Sequence, residues 1–152
     1  MYNVNEIAIK NKRASILTFL VLSIANVVFV FMNVNLSFVF SNYVSFAGAV
    51  LVAINNHYPL IQSALFIAYG CLLVPLILLF ISYYLAGKNR FGFILAIIVC
   101  TLDILLCLYV GIFTSTLDLS YALPVIANGW LIIDCVTGLH NFNVLEKFKE
   151  NE

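Results

Sequence analysis

Residues 14–32 read ASILTFLVLSIANVVFVFM and open a stretch, residues 14–87, without one Asp, Glu, Lys or Arg. A soluble fold cannot build a solvated surface from such a stretch. The whole chain agrees: 152 residues, 64% hydrophobic, 9% charged, with a mean hydropathy of +1.09. Soluble domains carry about 25% charged residues. The composition excludes a water-soluble globular domain, a disordered chain and a nucleic-acid binder. Seven basic and seven acidic residues cancel, so no long-range field steers a polyanion toward the protein. The lipid bilayer is its first partner.

A helix needs about 20 apolar residues to cross the hydrocarbon core. Four runs reach that length: about 14–32, 60–86, 91–113 and 121–140. Only helices or closed barrels satisfy their own backbone groups in lipid, and no alternating strand pattern is present. The expected fold is therefore all-α: a polytopic membrane helix bundle with four transmembrane helices. It forms a single membrane domain over 1–152, with polar tails at 1–13 and 141–152. Lys10, Lys12 and Arg13 precede the first span, Lys88 and Arg90 separate the second and third, and Lys147 and Lys149 follow the fourth. With four spans all seven fall on one side. The positive-inside rule then predicts a multi-pass protein of the cell membrane with both termini cytoplasmic.

The stretch 34–58 is apolar yet sits between the first and second spans. Its centre, about 38–54, is free of charge, and Ser37, Ser41, Ser45, Gly48 and Asn55 fall along one helical stripe in and at the ends of it, with apolar residues over the remainder. This pattern predicts an additional helix that is interfacial or re-entrant, its serine stripe facing water or protein. A fifth full span is the alternative, and it would separate the basic clusters onto opposite sides.

Polar groups inside the bilayer carry the functional information. Asp103 lies 12 residues from Phe91, Asn26 lies 12 from Ala14, and Asn128 lies 12 from His140. Each is thus about 18 Å from the basic end at 1.5 Å per residue. Pro75 falls at nearly the same level and cannot donate to the carbonyl of Cys71. Two readings of this midplane cluster stand side by side. In one, a protonated Asp103 donates to Asn26 or Asn128 and clamps the bundle. In the other, Asp103 is a proton or cation site. Asp134, six residues from His140, is a second acid nearer the basic end, about 9 Å from the boundary and within reach of water.

The third span also bears a small-residue stripe: Gly92, Ala96, Cys100, Cys107 and Gly111, with Asp103 in line. Such stripes let backbones approach closely, either within one bundle or between two copies. Cys71, Cys100, Cys107 and Cys135 form no CxxC motif and read as small apolar packing residues. No hydrolase, metalloprotease, P-loop or dinucleotide motif is present, and Asp103 and Asp134 are about 9 Å apart in depth, too far to share a proton. The chain therefore reads as non-enzymatic, with no catalytic residue, cofactor or metal.

Residues 101–106 (TLDILL) and 128–133 (NGWLII) resemble uncharacterised small four-span integral membrane proteins of Gram-positive bacteria. Their pattern has Ile-Asp in the third span and His-x-Trp in the fourth, followed by Gly. Here Asn128 stands in the place of that His, and Gly138 fits the Gly. The likeness covers roughly residues 60–149 and implies no activity. Two functional readings follow. One is an accessory, immunity or scaffold subunit acting through protein contacts, as a homodimer or with a membrane-protein partner. The other is a small proton- or cation-coupled carrier or channel using Asp103.

Overall fold

A computed structural model describes residues 2–34, 41–55, 58–113 and 119–150. Among these the chain forms five helices: α1 (Tyr2–Phe31), α2 (Tyr43–Asn55), α3 (Gln62–Ala86), α4 (Phe91–Phe113) and α5 (Leu119–Glu150). Four of them, α1, α3, α4 and α5, are long and apolar enough to cross a membrane, and α2 is a shorter apolar helix. The protein is an all-helical, multi-pass membrane bundle.

Two helices run past the spans expected from hydropathy. The first span was expected at 14–32, yet α1 begins at Tyr2; the last was expected to end at 140, yet α5 continues to Glu150. Apolar composition marks where a helix meets lipid, not where its hydrogen bonds stop. No Gly or Pro interrupts residues 2–31 or 141–150, so the polar tails stay helical. At its other end α1 closes on Asn33, whose φ of 54° is left-handed. The Val34 amide donates to the Phe29 carbonyl at 2.9 Å, and the Asn33 amide to Val30 at 3.1 Å. These are the two bonds of a Schellman cap.

The long helices close into a ring. α1 packs on α3 and α5, and α4 packs on the same two. In the half of the ring nearer the basic residues they meet directly over an apolar core that includes Ile16, Leu79, Phe93, Ala96, Leu131 and Cys135. Gly92 sets the α3–α4 corner. A Cβ there would come within 2.0 Å of the Ala86 backbone nitrogen, and Ser82 Oγ donates to the Gly92 carbonyl at 2.7 Å. Gly92, Ala96, Cys100, Cys107 and Gly111 are all buried within the chain's own bundle. Of the two seams open to the small-residue stripe, the chain uses the internal one.

In the other half of the ring α2 is wedged against α3, α1 and α4. Gly48 lets it lie directly on α3, since a Cβ would come within 2.5 Å of the Leu72 nitrogen and 2.8 Å of the Ala68 carbonyl oxygen. Ser45, Gly48, Ala49 and Val52 form its buried face. Ser41 and Ser45, from the predicted polar stripe, are turned into the protein; Ser37 and the expected helix start at 38–40 lie outside the described residues. α2 starts instead at Tyr43, because Asn42 caps it. Its first turn meets α4 at its midpoint, Asp103, and α1 at Ser23, about three-quarters of the way along that longer helix, so α2 begins inside the bundle: a half-helix of about 20 Å.

Candidate functional site: a buried carboxylate at a half-helix

A helix that begins inside a bundle exposes four backbone N–H groups with no intrahelical partner. Water cannot satisfy them in hydrocarbon, where each orphan costs several kcal/mol. At the start of α2 every one is accounted for. The Asn42 amide donates to Ser23 Oγ of α1 at 2.8 Å. The Tyr43 amide donates to Asp103 Oδ2 at 2.9 Å, and the Val44 amide to Asp103 Oδ1 at 2.8 Å. The Ser45 amide donates to Asn42 Oδ1 at 2.8 Å, the bond of an N-cap side chain.

Three of the long helices supply this polar floor. α4 brings Asp103, which is 2% exposed. α5 brings Asn128, whose Nδ2 donates to Asp103 Oδ2 at 2.7 Å and to the Pro124 carbonyl at 2.9 Å. α1 brings Ser23, whose hydroxyl donates to the Phe19 carbonyl, and Asn26, whose Nδ2 donates to Ser41 Oγ at 2.5 Å. The structure thus places Asn26, Asp103 and Asn128 in one buried layer, with α2 entering at its centre. Asp103 and Asn128 bond directly, and Asn26 reaches the segment leading into α2. The direction of the hydrogen bonds differs from the expected clamp. Asp103 was expected to donate; here both its oxygens accept, and the donors are N–H groups. A helix N-terminus carries partial positive charge, so an acidic side chain is the favoured neighbour.

Asn42, Tyr43 and Ser23 are members of this site that sequence reasoning missed. Asn42 carried a signal: an Asn directly before an apolar helical run is an N-cap candidate. Its Nδ2, together with Ser45 Oγ and Asn128 Oδ1, has no partner among the described residues.

A groove of about 390 Å³ opens between α3 and α4 beside this layer. Asn42 and Asp103 contribute to its floor, and Leu102, Val74 and Pro75 to its walls. Gly70 and Cys71 line it on the α3 side, where the Cys71 carbonyl lacks its usual donor because residue 75 is proline. Pro75 and Asp103, expected at one depth, border the same space.

Asp134 belongs to a different arrangement. Lys12 Nζ lies 2.6 Å from Asp134 Oδ1, and Ser15 Oγ donates to Oδ2 at 2.6 Å. The expected water-reached acid is 8% exposed and held by a cation from α1. Trp130, one turn away, is 66% exposed. His140 is exposed, and His57 lies outside the described residues. Among the described residues no group of His, Cys, Asp or Glu is arranged to hold a metal, and all four cysteines are free.

Comparison with protein-family models, with curated proteins and with solved structures finds no match to this chain.

Proposed function

We propose that this is a non-enzymatic protein of the cell membrane, both termini cytoplasmic, that works through contacts with other membrane proteins as an accessory, immunity or scaffold subunit. The observation that carries this reading is the use made of Asp103. A carrier would need that carboxylate free to exchange a proton or cation. Both of its oxygens instead accept hydrogen bonds from the protein's own N–H groups and hold α2 in place. The α3–α4 groove supports the same reading. It faces outward between two lipid-exposed helices, and Gly70 leaves open space on its wall. A neighbouring transmembrane helix can approach closely at such a wall.

The test has two arms. Purified protein in liposomes should give no proton, sodium or potassium flux above protein-free vesicles. Photo-crosslinking side chains placed at Gly70 and Leu102 in the native membrane should yield discrete adducts with one membrane protein, while the same group at Phe80, exposed on another part of α3, should not. A cation or proton flux that Asp103→Asn abolishes in folded protein would establish the carrier reading instead.

A further inference from the structure

Where α1, the α3–α4 turn and α5 meet at the basic end, a pocket of about 320 Å³ is ringed by Lys10, Arg13 and Lys88, with Glu6 as its single acid. We propose that this pocket binds the phosphate headgroup of an anionic phospholipid.

The cations are arranged, not scattered. Arg13 Nε donates to the Tyr83 carbonyl at 3.0 Å, and the guanidinium lies 4.2 Å from the centre of the Tyr83 ring. Gly87 lies against it: a Cβ there would sit 2.7 Å from Arg13 Nη1 and would push the guanidinium aside. The two Nη groups of this fixed fork have no protein partner among the described residues. A planar guanidinium with free N–H groups matches phosphate oxygens two at a time. Lys88 Nζ bonds to Tyr84 Oη at 2.5 Å and lies over the Tyr84 ring, which holds it beside the pocket. Lys10 is exposed and unpaired among the described residues. Set against Glu6, the ring keeps an excess of positive charge.

The source of the phosphate follows from the floor, which is apolar: Ile9 and Leu145 are buried beneath the cations, with Phe142 beside them. A free phosphate ion gains nothing from that floor, whereas the glycerol backbone and first methylenes of a lipid do. The pocket is at the end of the bundle where headgroups are expected, since Arg13 immediately precedes the charge-free run and Tyr83 and Tyr84 fall in the last turn of α3, a place favoured by interfacial aromatic residues.

The test uses the purified full chain in phosphatidylcholine nanodiscs and dioleoyl-phosphatidylglycerol as the probe, with retained lipid read by native mass spectrometry. Wild type should retain the anionic lipid in preference to phosphatidylcholine. Lys10→Gln/Lys88→Gln should weaken that retention about tenfold or more, with helix content unchanged because both side chains are exposed. Arg90→Gln removes a positive charge outside the pocket and should stay within about twofold of wild type. Millimolar inorganic phosphate should not displace the lipid. Equal retention of the two lipids by wild type, equal loss in the double variant and Arg90→Gln, or displacement by inorganic phosphate would each overturn the proposal.

Discussion

Asp103 Oδ1 accepts the Val44 amide at 2.8 Å although 59 residues separate them in the chain. With the Tyr43 amide on Oδ2, one carboxylate closes the first two donors of a helix that starts in the middle of the bundle. This makes Asp103 the anchor of α2, and its replacement is informative by degrees. Asn supplies one acceptor oxygen and turns an NH₂ toward the second amide; Leu supplies neither. Asp103→Asn should cost about 1–3 kcal/mol and Asp103→Leu more, by the price of each unsatisfied buried donor. Hydrogen exchange at residues 43–45 should rise in the same order while residues in α5 remain protected. Equal protection of residues 43–45 in wild type and Asp103→Leu would remove Asp103 from the anchoring role.

Gly48 and Gly70 offer a paired test of close approach. Gly48→Ala drives a methyl group into the backbone of α3 and should lower thermal stability by about 1–3 kcal/mol, the usual cost of overpacking. Gly70→Ala meets open space and should be neutral or slightly stabilising, as alanine is the better helix former. Melting followed by circular dichroism in one detergent separates the two.

Lys12 and Asp134 should be coupled. Lys12→Met leaves a buried carboxylate with only Ser15, and Asp134→Leu leaves the ammonium without its partner. Each should destabilise by about 1–3 kcal/mol, below the range for fully buried pairs because the Lys12 side chain is 30% exposed. The double variant should lose less than the sum of the singles. Additivity in a double-mutant cycle would show the pair to be electrostatically idle.

Orientation is open to labelling. Arg90→Cys should react with a membrane-impermeant maleimide only after cells are permeabilised, and Tyr58→Cys should react in intact cells. Both positions are exposed and lie at opposite ends of the bundle. The reverse pattern would place the termini outside.

The spans were legible in the sequence because lipid imposes one requirement on every residue it touches. α3 and α4 are found within two residues of where hydropathy places them. The layer of Asn26, Asp103 and Asn128 was legible by counting rise per residue along three helices from a common boundary. What the count could not reveal was who bonds to whom. Tyr43 and Val44 enter the site through their amides, and a backbone N–H leaves no mark in the residue type. Lys12 and Asp134 were equally hidden. The polar tail that carries Lys12 continues α1, and its long side chain reaches an acid that depth alone left facing water.

The half-helix also imposes an order of assembly. α2 is synthesised after Ser23 and well before Asp103, so when it first emerges only one of the two helices that satisfy its amides exists. Until α4 has entered the membrane, burying residues 43 and 44 would strand two donors in hydrocarbon. Burial of that first turn without stranded donors therefore requires Asp103 to be in place. A helix early in the chain thus depends for its burial on a side chain from the next-to-last one.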